Sequence, residues 1–237
     1  MLTLGTIELG EKPAVVIAIQ RPVSPADLAM ECPHAIVELR LDGLADTSPA
    51  AHVAFAEQYE GFNRLATIRH QDEGGAWRGN EEQRLASYRA VLPVVDAVDV
   101  EVLVGSITNA VVAAAHDSGK IVIGSFHDFD ETPSAKRLEE VFAAGRAAGV
   151  DIVKVAARCN TAEDGRRLAA FTLAHCDDNI IVVGMGPYGM ASRIFFPALG
   201  SLLTYTFLGE PTAPGQLNCH DTLKYLNGFY PQGVARP

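Results

Sequence analysis

The sequence predicts a single (β/α)₈ TIM barrel over residues 1–237, with an N-terminal β-hairpin closing its bottom. Three observations lead there. Eight short runs rich in Val and Ile alternate with longer stretches of Ala, Leu, Glu and Arg, the order that builds a parallel sheet from βα units. No Pro- or Gly-rich linker divides the chain. A length of 237 residues is the usual size of one such barrel. An open doubly wound sheet is the alternative that the same alternation allows.

The elements follow in order. TLGTIELGEK, with two short alternating runs about a glycine, reads as the hairpin. The strands are AVVIAIQ (14–20), AIVELRLD (35–42), LATIR (65–69), VDAVDVEV (95–102), IVIGSFHDF (121–129), DIVKVAA (151–157), NIIVVGMG (179–186) and LLTYTFL (202–208). SPADLAM and TPSAKRLEEVFAAGRAAG each open on a Ser or Thr cap followed by Pro at the first helical position, and the second closes on Gly149.

Composition narrows the function. Apolar residues at 48% and charged residues at 20% support a sizeable core. A net charge of −10 argues against nucleic acid or an anionic membrane as partner, because phosphates are bound through accumulated Lys and Arg. The four cysteines, Cys32, Cys159, Cys176 and Cys219, form no CxxC pair, so neither a zinc site nor a disulfide framework is expected, and a reducing cytoplasm fits best. The N-terminus lacks the pattern of a signal peptide, and no apolar run reaches membrane-spanning length.

Side chains alternate along a strand, so one parity faces the helices and must be apolar while the other faces the barrel interior. In VELRLD this rule turns Glu38, Arg40 and Asp42 inward; in ATIR, Arg69; in VDVEV, Asp99 and Glu101; in GSFHDF, Ser125, His127 and Phe129; in DIVKVAA, Lys154. One buried charge on its own is more often a structural ion pair or a snorkelling side chain. Five strands aiming ionisable groups at one interior, near their C-terminal halves, describe a barrel active site.

The residue types point to carbonyl chemistry. The chain has five lysines against fourteen arginines, yet one lysine sits mid-strand. An amine in low dielectric beside cations such as Arg40 and Arg69 loses its proton readily and attacks a carbonyl to form an imine. The imine acidifies the neighbouring C–H, and a base must take that proton. His127 is the one histidine at an inward strand position; the others fall in loops, helices or strand edges and read as solvated or capping groups. Glu73, Glu101 and Asp99 are candidates for the carboxylate that fixes its tautomer.

In order along the chain, VELRLD, TIRHQDEGG, VDVE, SFHDFDETP, DIVKVAA, GMGPYGMASR with GSLLTY, and GEPTAPGQL resemble the type I 3-dehydroquinate dehydratases, Schiff-base enzymes of the shikimate pathway. The resemblance implies a carbon–oxygen lyase that removes water from 3-dehydroquinate by syn elimination, giving 3-dehydroshikimate. By it, Lys154 forms the imine, His127 moves the protons and Glu73 orients His127. Glu38 and Arg40 meet the ring hydroxyls, and Arg69 supports the site. Arg193 and Gln216 hold the carboxylate, with Thr212 standing where the family has a loop serine. A planar guanidinium matches a carboxylate, which gives Arg193 an independent rationale. Ala18 replaces a serine common in the family's first strand. The resemblance further implies a homodimer.

A class I aldolase is the rival Schiff-base barrel, but GPYGMASR puts an arginine where a glycine-rich phosphate cradle would be expected. A non-catalytic descendant would be expected to have lost Lys154 or His127. The sequence holds no metal-ligand cluster and no nucleotide fingerprint, so no cofactor beyond the lysine is expected.

Overall fold

The computed structural model describes residues 2–209 and 215–230. Strands β1 (Leu2–Leu4) and β2 (Ile7–Leu9) form the predicted hairpin. Its tight turn begins at Gly5, whose φ of +59° suits glycine. The barrel strands are β3 (Ala14–Ile19), β4 (Ile36–Arg40), β5 (Asn63–Thr67), β6 (Ala97–Glu101), β7 (Ile121–Asp128), β8 (Ile152–Arg158), β9 (Ile180–Met185) and β10 (Leu203–Thr206). They pair in parallel in the order β10-β3-β4-β5-β6-β7-β8-β9. At the seam, the Leu202 N–H donates to the Ile180 carbonyl at 2.9 Å, bringing the two ends of the sheet together. This is the (β/α)₈ barrel the alternation predicts.

The helices are α1 (Pro25–Glu31), α2 (Pro49–Glu57), α3 (Glu81–Val91), α4 (Thr108–Asp117), α5 (Ala135–Ala148), α6 (Ala162–Ala174), the short α7 (Ser192–Phe195) and α8 (Cys219–Phe229). Ser24 caps α1 with Pro25 at its first position, as expected. The cap of α5 falls two residues later than the sequence suggests. Ser134 accepts from the Arg137 N–H at 3.2 Å, while the Thr132 hydroxyl donates to the Arg158 carbonyl at 2.7 Å. Gly149 ends α5 in the left-handed region, at φ +79°.

The inner parity of the strands splits into two storeys. Toward the N-terminal ends, Val16, Ile36, Leu65, Ala97, Ile123, Ile152 and Ile181 fill the barrel, and Leu4 and Leu9 of the hairpin plug it from below. The Thr6 N–H donates to Asn63 Oδ1 at 2.7 Å and fastens the hairpin to β5. Polar chemistry is thereby confined to the upper storey. The outer parity, including Val37, Leu39, Val98 and Val100, packs against the helices.

Three further expectations change. The third barrel strand starts two residues early, at Asn63, which pairs with Ile36, and ends two residues early, at Thr67, where the next N–H, that of Ile68, is taken by the Tyr88 hydroxyl of α3 at 3.2 Å. Cys32 and Cys219 are brought together as a disulfide, 187 residues apart with 6.3 Å between their Cα atoms. Their separation hid this, since only closure of the barrel makes α1 and α8 neighbours. His52 of α2 is not solvated: it is fully buried beside Trp77.

Candidate active site

Above the plug, the strand ends open into a cleft lined by Glu38, Arg40, Arg69, Glu73, His127, Lys154, Arg193 and Gln216. Of the residues predicted from the sequence, these eight are brought together; Thr212 lies outside the described residues. Phe129, Tyr205 and Ala18 are among the other residues of its walls.

Lys154 projects inward because β8 places Val153 and Val155 on the helix side. It is 4% exposed, and its Nζ lies 2.9 Å from Asp99 Oδ2 and 4.2 Å from the centre of the Tyr205 ring. Ser125 on β7 sits in register with it, which leaves His127 one inward step higher. His127 stacks against Phe129, the rings 6.3 Å apart and inclined by 14°.

Glu73 reaches His127 from a single 3₁₀ turn, Gln71–Glu73, following β5. His70 caps the turn by accepting from the Asp72 N–H at 3.2 Å, and Gly74 ends it at φ +76°. The two glycines of DEGG are steric requirements: a Cβ on Gly74 would lie 2.5 Å from the Phe129 ring, and one on Gly75 would collide with the Arg69 carbonyl. So held, Glu73 Oε2 accepts the His127 backbone N–H at 2.8 Å and lies 2.9 Å from Nδ1. Of the three candidate carboxylates, Glu73 is the one that meets the histidine.

The electrostatics of the pair follow from burial. Loss of water pushes the Glu73 carboxyl up to about 8 against the pull of Arg69. His127 moves the opposite way, well below its ordinary value, because burial and the cations Arg69 and Lys154 disfavour an imidazolium. The imidazole is therefore neutral near pH 7, the state a general base requires.

The remaining predicted residues are held firmly. Glu38 accepts the Thr67 hydroxyl at 2.8 Å. Arg40 forms a two-pronged pair with Asp42 at 3.0 and 2.9 Å, and Asp42 is fixed in turn by the Ala76 N–H. Arg69 does not face the cleft freely. It is bound to Asp99 and Ser125, each at 2.5 Å, and to Glu101 at 2.7 Å. Arg193 donates through Nε to the Gly215 carbonyl and through Nη1 to the Tyr205 carbonyl, both at 3.0 Å, while its buried Nη2 has no hydrogen-bond partner among the described residues. Burial alone lowers Arg193 to about 10, which leaves it cationic at neutral pH. A buried cation with an unused donor at the cleft wall suits an anionic group.

Sequence reading missed two supports. Arg84 of α3 is fully buried and joins Glu101 at 2.6 Å from outside the barrel. Tyr205, at an inward position of LLTYTFL, forms the face beneath Lys154. Strand parity could have found the tyrosine; no local pattern marks the arginine. Among the described residues, no group of three or more His, Cys, Asp and Glu side chains could hold a metal ion, and no helix is long and apolar enough to cross a membrane.

Fold and site together define a barrel enzyme with a buried amine beside a histidine–carboxylate pair, the equipment of Schiff-base chemistry. The family model for type I 3-dehydroquinase matches residues 22–231. The chain is 34% identical to the 3-dehydroquinate dehydratase of Methanococcoides burtonii over 95% of its own length and 98% of that protein's. It is 37% identical to the one from Thermodesulfovibrio yellowstonii, with 78% and 81% covered. The crystal structure of the 3-dehydroquinate dehydratase from Aquifex aeolicus superposes with a TM-score of 0.83 at 27% identity, covering 92% of this chain and 99% of that one. The chain belongs to the type I 3-dehydroquinase family.

Proposed function

We propose that this enzyme, a hydro-lyase, dehydrates 3-dehydroquinate to 3-dehydroshikimate through an imine on Lys154. The observation that carries the reading is the placement of Lys154 and His127 on adjacent strands, facing one cleft, with Glu73 2.9 Å from the imidazole. Lys154 adds to the ring ketone. His127 takes the proton from the carbon next to the imine and returns a proton to the departing hydroxyl, so that both events occur on one face and the elimination is syn. In its ionised form Glu73 holds the imidazole in the tautomer that leaves its other nitrogen open to the substrate.

Arg193, with its unused Nη2, receives the substrate carboxylate, assisted by Gln216. Glu38 and Arg40 meet the ring hydroxyls, Arg69 keeps the charged floor in place, and Thr212 contributes a hydroxyl from its loop. The whole of 1–237 acts as one domain, and the enzyme works as a homodimer in the cytoplasm, where the reducing milieu would hold the Cys32–Cys219 pair as thiols. The dimer rests on the family resemblance, and light scattering on the purified protein tests it.

Purified protein is mixed with 3-dehydroquinate, the conjugated enone product is followed by ultraviolet absorbance, and the reaction is quenched with borohydride for intact-mass measurement. Absorbance growth and a covalent adduct that Lys154→Ala abolishes are expected. Absence of both in the unmutated protein would overturn the reading.

A further inference from the structure

Asp99 takes no part in the chemistry above, yet it is fully buried and touches the reacting nitrogen. Its Oδ2 lies 2.9 Å from Lys154 Nζ, while Oδ1 accepts Arg69 Nη2 and the Ser125 hydroxyl at 2.5 and 2.6 Å. The Tyr205 ring lies 4.2 Å from the same Nζ. We propose that Asp99 is the fixed counter-ion of the Lys154 nitrogen, first of the ammonium and then of the protonated imine. This rests on the imine reading given under Proposed function.

The charge on that nitrogen alternates through the reaction. The ammonium must lose a proton before its lone pair can bond the ketone carbon. When the carbonyl oxygen leaves as water, an ammonium and a ketone have become a protonated imine and water, and nitrogen again carries one positive charge. Removal of the neighbouring proton sends an electron pair toward nitrogen and gives a neutral enamine. Expulsion of the hydroxyl, protonated by His127, drives the pair away from nitrogen and restores the cation. Only the protonated imine is an effective electron sink, so a fixed anion at the nitrogen favours the state from which elimination proceeds.

Asp99 is suited to this and unsuited to proton transfer. Burial alone would raise its carboxyl, but Arg69 and Lys154 outweigh burial and hold it well below the usual carboxylate range, so it does not retain a proton. The neutral imidazole of His127 is the group able to accept one. Asp99 is also locked in position: Arg69 bonds Glu101 at 2.7 Å, and Glu101 bonds Arg84 at 2.6 Å. The ladder Arg84–Glu101–Arg69–Asp99–Lys154 alternates in sign and leads from a helix outside the barrel to the nucleophile. A charge fixed beforehand needs no rearrangement when the cation develops.

The test is the borohydride trap, which reduces protonated imines, run with 3-dehydroquinate from mildly acidic to alkaline pH. The other charged or titratable groups facing Asp99 are Arg69, Glu101, Glu73, His127, Tyr205 and, from α3, Tyr88, and all remain in an Asp99→Asn variant. The unmutated enzyme is expected to be trapped equally well across the range. In Asp99→Asn the trapped fraction should fall as pH rises, and kcat should drop about 100-fold, the scale of losing one preorganised electrostatic partner, with KM changing much less. Asp99→Glu should recover part of both.

A folded Asp99→Asn protein with an unchanged trapping profile overturns the inference, whether or not kcat falls. If Asp99→Asn does not fold, Ser125→Ala, which removes one hydrogen bond from the same carboxylate, decides. A shift of the trapping profile in the same direction supports the counter-ion, and no shift overturns it. Loss of trapping in the unmutated protein at every pH would instead strike the imine reading itself.

Discussion

Glu73 Oε2 serves His127 twice, accepting its backbone N–H at 2.8 Å and lying 2.9 Å from Nδ1 of its ring. The backbone bond fixes where the carboxylate sits, and the side-chain contact sets which imidazole nitrogen faces the cleft. His127→Ala should therefore lower kcat by about 10²–10⁴-fold, the usual contribution of a general base, while still forming a borohydride-trappable adduct. Glu73→Gln, which keeps the shape but not the charge, should fall between that variant and the unmutated enzyme. Single-turnover absorbance measurements read both.

The same pair predicts a pH profile. Because Glu73 ionises at about 8, its carboxylate form appears as pH rises through that value and makes the imidazole a stronger base. The expected result is a rise in kcat through about pH 8 that Glu73→Gln removes. His127 is lowered, so the acid limb should lie below the ordinary histidine value and persist in the glutamine variant. A rise through pH 8 that survives Glu73→Gln would assign it to another group.

Arg193 presents its unused Nη2 at the cleft wall. A hydrogen bond to a charged group contributes roughly 1.5–3 kcal/mol, so Arg193→Gln should raise KM for 3-dehydroquinate by about 10–100-fold. Arg193→Lys should restore little, since a lysine cannot keep the bonds to the Gly215 and Tyr205 carbonyls while reaching an anion. Steady-state kinetics on the three proteins check this.

Arg84 has no access to the cleft, yet it neutralises Glu101 from the helix side. Removing one partner of a buried pair leaves an uncompensated charge, and Arg84→Met should destabilise the fold by about 3–5 kcal/mol. Urea unfolding measures the loss; a change below about 1 kcal/mol would show that Glu101 finds its balance in Arg69 alone.

His52, buried in α2 beside Trp77 with ring centroids 6.3 Å apart, is lowered by burial. Its folded form resists protonation more than its unfolded form, so the stability tied to it is complete above the unfolded value and is lost as pH falls below it. Unfolding in urea at neutral and at mildly acidic pH should show a larger acid loss for the unmutated protein than for His52→Phe. Equal losses would place the acid sensitivity elsewhere.

Much of this molecule is legible from local rules. Two-residue alternation put Glu38, Arg69, His127 and Lys154 on the inner parity, and recurring βα units gave the barrel and its hairpin, because the direction of a side chain is decided by its immediate neighbours in sequence. Parity does not say at what height an inward residue sits or what it meets across the barrel. Asp99 and Glu101 are two residues apart on β6 and look alike in sequence, yet one pairs with Lys154 inside the barrel and the other with an arginine outside it. Parity also left three carboxylates open for His127, where the family motif DEGG singled out Glu73; the joining of Cys32 to Cys219 and the burial of His52 depend on how strands stagger and helices close around them. Those contacts link residues far apart in the chain, and only the packed tertiary structure fixes them.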